Sequence, residues 1–142
     1  MFLFYQIILS LLLIISPFII IYRIFKNKED KKRFLEKFSI PSKKKSGNKL
    51  IWFHGASVGE ILSIIPLIRN YENNQLIDQI LVTTGTLSSS KIVKRFKFKK
   101  TIHQFYPIDH IYFTSKFLKY WKPNFAIFID SEIWPCMFKE LD

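Results

Sequence analysis

From Met1 to Tyr22 the chain has no charged side chain; only Gln6, Ser10 and Ser16 stand among the apolar residues. A helix needs roughly 20 apolar residues to cross a bilayer core of about 30 Å, and Phe2–Tyr22 meets that length. Pro17 would kink such a helix without excluding it. A cleaved signal peptide wants a basic start, a shorter apolar run and a small-x-small cleavage site. No Lys or Arg precedes this run, and Arg23, Phe25 and Lys26 follow it. The expectation is an uncleaved anchor.

Other absences narrow the chemistry. A single cysteine, Cys136, excludes an internal disulfide and fits a reducing compartment. His54, His103 and His110 form no zinc spacing with a cysteine pair, so no metal site is expected. Neither a G-x-G-x-x-G dinucleotide fingerprint nor a Walker A loop occurs. No internal repeat is visible, and no RNP, helix-turn-helix or zinc-finger pattern supports a nucleic-acid partner.

Basic residues outnumber acidic ones, 22 to 11, for a net charge of +11. Half of them fall between Arg23 and Lys49, directly after the apolar run. The positive-inside rule places that side in the cytoplasm. A polybasic segment beside an anchor is also drawn to anionic lipid headgroups, at about 1 kcal/mol per basic residue. Six more bases lie in Lys91–Lys100 with no acid among them. A genome rich in A and T would raise Lys, Ile and Phe as well, but would not concentrate charge beside the anchor.

The 142 residues leave room for one domain. Phe34–Phe38 reads as a short amphipathic helix, and Pro41–Asn48 as a polar linker. Short apolar runs then alternate with helical spacing. Strands are expected at Leu50–His54, Ile80–Thr84, Ile102–Tyr106 and Phe125–Ile129. Helices are expected at Ile61–Arg69, where Pro66 implies a kink or a late start, at Ser88–Phe98 and at Ile111–Trp121. Pro135 would open another helix at its first turn. This order predicts an α/β fold with a Rossmann-like parallel sheet and helices on both faces. Ligands of such sheets sit beyond the carboxyl ends of the strands, which selects His54–Glu60, Thr83–Ser90, Pro107–His110 and Asp130–Pro135.

Within His54–Glu60, Gly55 and Gly59 let backbone approach a ligand, and amides at a helix start can hold an anion. Glu60 falls in the first turn, where a carboxylate can serve catalysis or merely stabilise the helix N-terminus. Glu132 would leave the same sheet edge, and two carboxylates on one rim can divide labour; equally, Asp130 or Ser131 can cap the next helix. Thr83, Thr84, Gly85 and Thr86 form a hydroxyl-rich turn suited to phosphate or sugar contacts, or to a plain helix cap.

Four segments together resemble one family. They are His54-Gly55-Ala56-Ser57-Val58-Gly59-Glu60 with Ile61–Ile68, Ile80–Thr86, Phe105-Tyr106-Pro107-Ile108-Asp109, and Glu132-Ile133-Trp134-Pro135. In order and at this spacing they are similar to the N-terminal half of the 3-deoxy-D-manno-octulosonic acid (Kdo) transferases. The resemblance implies the N-terminal, acceptor-side domain of a GT-B glycosyltransferase, which works without a metal or other cofactor. It implies Glu60 as proton acceptor and Glu132 as transition-state stabiliser, with Ser57, Gly59, Thr84, Gly85 and Thr86 binding substrate. The implied donor is CMP-Kdo, held by a C-terminal domain; the implied acceptor is a lipid A precursor, at the bacterial inner membrane. Cys136 stands where the family usually has Asn, and Asp130-Ser131 where it has Glu-Thr. The expected division is an anchor over 1–25, a basic juxtamembrane segment and linker over 26–48, and a truncated Rossmann-like domain over 49–142, with the donor domain absent. A membrane-anchored module that only binds the lipid A precursor, or another GT-B transferase, are the alternatives.

Overall fold

A computed structural model describes residues 2–129 and 134–141. Its four strands are β1 (Leu50–His54), β2 (Gln79–Thr84), β3 (Thr101–Phe105) and β4 (Phe125–Phe128). They form one sheet in the order β3-β2-β1-β4, with every neighbouring pair parallel. Five α-helices accompany them: α1 (Phe2–Phe25), α2 (Val58–Glu72), α3 (Leu87–Arg95), α4 (Ile111–Trp121) and α5 (Pro135–Leu141). The expected α/β architecture with a parallel sheet holds.

Strand alternation sorts the core into two layers. Ile51, Phe53, Ile80 and Val82 meet Ile61, Ile64, Ile65 and Ile68 of α2 and Val93 of α3. On the opposite face Leu50, Trp52 and Leu81 pack with Phe117 and Trp121 of α4 and Met137 of α5. β1 and β2 are buried along their whole length, as strands covered on both faces must be.

Two details depart from the sequence expectation. α2 does not start late: it begins at Val58 and carries Pro66 in its interior. Ser57 caps it, its Oγ accepting from Glu60 N at 3.2 Å, and Pro66 lies on the solvent side, where a bend costs no core packing. α3 ends at Arg95 rather than Phe98, because Lys97 takes a positive φ of 48°.

The segment before the sheet is tied to it. A 3-10 turn, Phe34–Phe38, runs beside edge strand β3. Buried Glu36 accepts two hydrogen bonds from the Arg33 guanidinium, both 2.8 Å, and a third from Phe105 N. Arg33 also donates to the His103 carbonyl at 2.7 Å. The open ladder groups of β3 thus find side-chain partners. Buried Glu29 engages Arg23 at 3.1 Å and Lys37 at 2.6 Å. Three bases of the polybasic run, Arg23, Arg33 and Lys37, are therefore neutralised within the molecule.

α1 carries a 22-residue stretch, Phe4–Phe25, long and apolar enough to cross a membrane, and only 6% of its most apolar window is buried. It touches the rest of the molecule through Tyr5, whose hydroxyl donates to Asp109 at 2.8 Å, through Ser10 beside His110, and through Arg23.

Candidate active site

In an open parallel sheet the ligand crevice lies where strand order reverses. Here that point is between β1 and β4. β1 connects forward to β2 on one side and pairs with β4 on the other, with His54 opposite Phe128 and Ile129 N donating to the His54 carbonyl. The loop from His54 to Glu60 leaves β1 at this place.

That loop is held in every direction. Gly55 N donates to the Thr83 carbonyl at 3.1 Å, and Ser89 Oγ donates to the Ala56 carbonyl at 3.1 Å. The Glu60 carboxylate reaches back to accept from Ala56 N at 2.7 Å. Together with the Ser57 cap this is a capping-box arrangement, displaced by one residue from its usual donor. Gly55 sits at a close approach, where an added Cβ would make its neighbours give by a few tenths of an ångström. A Cβ there would stand 3.0 Å from Ile61 Cδ1 and 3.3 Å from Glu60 Cβ. Glu60 is half-buried at the first turn of α2, with one oxygen fixed by an amide in a geometry that serves either of the two roles open to it.

The other expected residues divide. Ser57 is committed to the α2 cap. Gly59 and Gly85 leave open space around their α-carbons: a Cβ on Gly59 meets only Ser57 Oγ at 4.0 Å, and one on Gly85 meets nothing within 4 Å. Thr86 is the cap of α3, accepting from Ser89 N. Thr84 is fully buried and points inward. Its partners fix the tautomer of His103. Arg33 can only donate, so His103 Nδ1, 2.9 Å from it, accepts. The proton is then on Nε2 and goes to Thr84 Oγ1 at 2.9 Å, and Thr84 donates to the Thr86 carbonyl. Glu132 lies outside the described residues, as do Asp130, Ser131 and Ile133.

A cavity of about 310 Å³ opens at the same edge, lined by His54, Ala56, Gly85, Tyr106, Asp109 and Trp134, with Tyr5 and Leu9 of α1 on its outer side. Glu60 does not line it; Ala56, to which its carboxylate is bonded, does. Burial pushes His54 down to about 4, against the opposing pull of Thr83 and of the Glu60 charge, so the ring is neutral at physiological pH. His103 is driven lower, to about 3, by burial and then by the Arg33 and Lys94 charges.

Two residues inside the stretches selected from the sequence take roles that the sequence did not assign them. Ser89 was visible only as one hydroxyl in a run, yet it braces the Glu60 loop. Asp109 accepts from Cys136 N at 3.1 Å and from Met137 N at 2.9 Å. It thereby anchors the start of α5, directly after Glu132-Ile133-Trp134. Among the described residues no group of three or more His, Cys, Asp and Glu is placed to hold a metal.

A family model described as 3-deoxy-D-manno-octulosonic-acid transferase (kdotransferase) matches residues 32–142. The 3-deoxy-D-manno-octulosonic acid transferase of Rickettsia felis is 46% identical over 101 residues, covering 71% of this chain and 22% of that protein. That of Rickettsia bellii is 43% identical over 128 residues, covering 89% and 31%. A probable mitochondrial 3-deoxy-D-manno-octulosonic acid transferase of Arabidopsis thaliana is 36% identical over 124 residues, covering 85% and 28%. The chain thus spans between a fifth and a third of the length of these curated relatives. With the His54–Glu60 loop, the Thr84–Thr86 turn and the Asp109 anchor on one sheet edge inside the matched region, the chain belongs to the 3-deoxy-D-manno-octulosonic-acid transferase family, over its N-terminal region.

Proposed function

We propose that this chain forms the acceptor side of an inverting, metal-independent GT-B transferase that moves Kdo from CMP-Kdo to a lipid A precursor in lipopolysaccharide synthesis. One observation carries the reading: the Glu60 carboxylate is held by Ala56 N beside the sheet's switch point. Glu60 takes the proton of a glucosamine hydroxyl. The freed oxygen attacks the anomeric carbon of Kdo, and CMP departs with the electron pair of the broken bond. Glu132 offsets the positive charge that develops on the sugar ring. Ser57 and Gly59 at the start of α2, and the Thr84-Gly85-Thr86 turn, shape the acceptor pocket. The Thr84 and Thr86 hydroxyls act within the fold, so contact from that turn comes from the Gly85 backbone.

A second domain supplies CMP-Kdo, and bringing the two substrates together accounts for a large share of the rate gain. α1 anchors the chain in the bacterial inner membrane with residues 26–142 on the cytoplasmic side. Lysines left free by Glu29 and Glu36, in the polybasic run and at Lys91–Lys100, face lipid headgroups and acceptor phosphates.

The test is Glu60→Gln in a protein carrying both domains. Transfer should fall by about 10²–10⁴, the usual share of a general base, with lipid binding retained. Near-normal turnover removes Glu60 from the role. The alternative is a binding module that holds the acceptor without transferring sugar. Measurable Kdo transfer by these 142 residues alone would dismiss it.

A further inference from the structure

We propose that Ser89 is a positioning residue for sugar transfer: its buried hydroxyl, aimed by a line of hydrogen bonds that starts at Arg33, fixes the backbone against which the Glu60 carboxylate rests. The role deepens the reading above, since it rests on Glu60 as proton acceptor, and it brings in residues of α3 and β3 that act through Glu60.

Each link has one direction. Arg33 has no acceptor atom, so it donates to His103 Nδ1 at 2.9 Å. The ring proton is on Nε2 and goes to Thr84 Oγ1 at 2.9 Å. Thr84 is fully buried and donates in turn to the Thr86 carbonyl at 3.3 Å. That carbonyl also accepts from Ser90 N in the first turn of α3, so the start of α3 is held from the β3 side. The Thr86 hydroxyl accepts from Ser89 N at 3.2 Å and lies 2.8 Å from Ser89 Oγ. Ser89 has a single hydroxyl proton, and the Ala56 carbonyl, 3.1 Å away, can only accept it. Thr86 is therefore the donor between the two hydroxyls, and the line continues from α3 into the loop after β1. There Ala56 N donates to the Glu60 carboxylate at 2.7 Å.

A carboxylate in the first turn of a helix can act as a cap with no help from another element. Two features exceed that need. Glu60 bonds Ala56 rather than Ser57, the N-cap residue whose amide a capping box uses. Ser89 also differs from its neighbour: Ser90 Oγ turns back to Leu87 in its own helix at 2.8 Å, whereas Ser89 crosses to a residue 33 positions away. Both backbone polar groups of Ala56 are thus taken, one by Ser89 and one by Glu60. One carboxylate oxygen is pinned and the second is left for the proton of the acceptor hydroxyl. A base must stand within hydrogen-bond reach of the proton it takes, and a misplacement of about 1 Å can cost about 10²-fold in rate.

Ser89→Ala and Thr84→Val break the line at two points without adding bulk. In a protein carrying both domains, each should lower kcat about tenfold and leave KM within about twofold. Because the two residues act along one line, the double variant should lose little more than the worse single one. In the 142-residue chain in lipid nanodiscs, hydrogen exchange at Ala56 N should quicken about tenfold in Ser89→Ala, with Ile64 and Ile68 of α2 unchanged, a pattern that a loss of global stability does not give. Unaltered exchange at Ala56, or a wild-type kcat in Ser89→Ala, overturns the role of Ser89 and leaves Glu60 as the base. Losses that multiply in the double variant overturn the link from Thr84. If Glu60→Gln itself turns over normally, the reading beneath falls and the positioning role falls with it.

Discussion

At the residue scale, this molecule keeps its two deeply buried histidines uncharged. His54 and His103 titrate at about 4 and about 3 when folded, against about 6.5 when unfolded. Between pH 6.5 and 4 the unfolded chain therefore binds more protons than the folded one, and stability falls as pH falls. The slope is about 1.4 kcal/mol per pH unit for each histidine. Thermal denaturation of the chain should show a flat midpoint above pH 7 and a steady decline from pH 6.5 to pH 5. His103→Gln, which retains an amide beside Arg33 and Thr84, should remove about half of that slope. A midpoint indifferent to pH over this window would contradict the buried, neutral state of both rings.

At the element scale, the point of interest is how the edge of β3 is protected. An exposed strand edge is a template for unwanted pairing, and here the Phe34–Phe38 turn covers it with Arg33 and Glu36. Glu36 has 1% of its side chain exposed, Arg33 14%. Glu36→Ala would leave Phe105 N without its partner and the guanidinium, still bonded to His103, without a counter-charge, a loss of about 3–5 kcal/mol. Replacing both charges, Arg33→Met with Glu36→Leu, should cost much less, since a buried pair barely exceeds its own desolvation penalty. Urea unfolding of the two variants would measure the difference. Equal losses would mean that the ion pair, rather than the stranded partner, supplies the stability. The same Arg33 links through His103 and Thr84 to the Thr86 carbonyl, so the turn that borders the cavity is braced from the basic segment.

At the scale of the whole molecule, α1 faces a choice between the domain and lipid. Its contacts through Tyr5 and Ser10 lay it along the domain, and a helix that crosses a bilayer must release them. Each is a hydrogen bond worth about 0.5–1.5 kcal/mol. Against them stand exposed Ile7, Ile8, Leu11, Leu12, Ile14, Ile15, Phe18, Ile19 and Ile21. Each gains about 0.3–0.6 kcal/mol on insertion near the membrane centre, so lipid outweighs the two bonds. Tyr5→Cys, in a background lacking Cys136, should react with a membrane-impermeant maleimide added outside intact spheroplasts. Labelling only after lysis would mean that α1 stays on the cytoplasmic side with the domain.

Much of this was written in local sequence. Leu50–His54 and Ile111–Trp121 are bounded in the fold where period and flanking residues place them, because an apolar run ended by Gly, or a helical stripe ended by Pro, needs no distant partner to declare itself. The family is legible for the same reason: its motifs are short segments at the ends of strands. What the sequence left open were matters of pairing. Nothing local says that Glu36 meets Phe105, that Asp109 anchors α5, or that Ser89 braces Ala56, since each contact joins segments at least 27 residues apart. Nor could it show that Thr84 turns inward and that His54 keeps a buried ring nitrogen without a partner among the described residues. Element type follows from neighbours in the chain; the partner of a polar group is decided when the strands stack side by side, and only tertiary structure sets that.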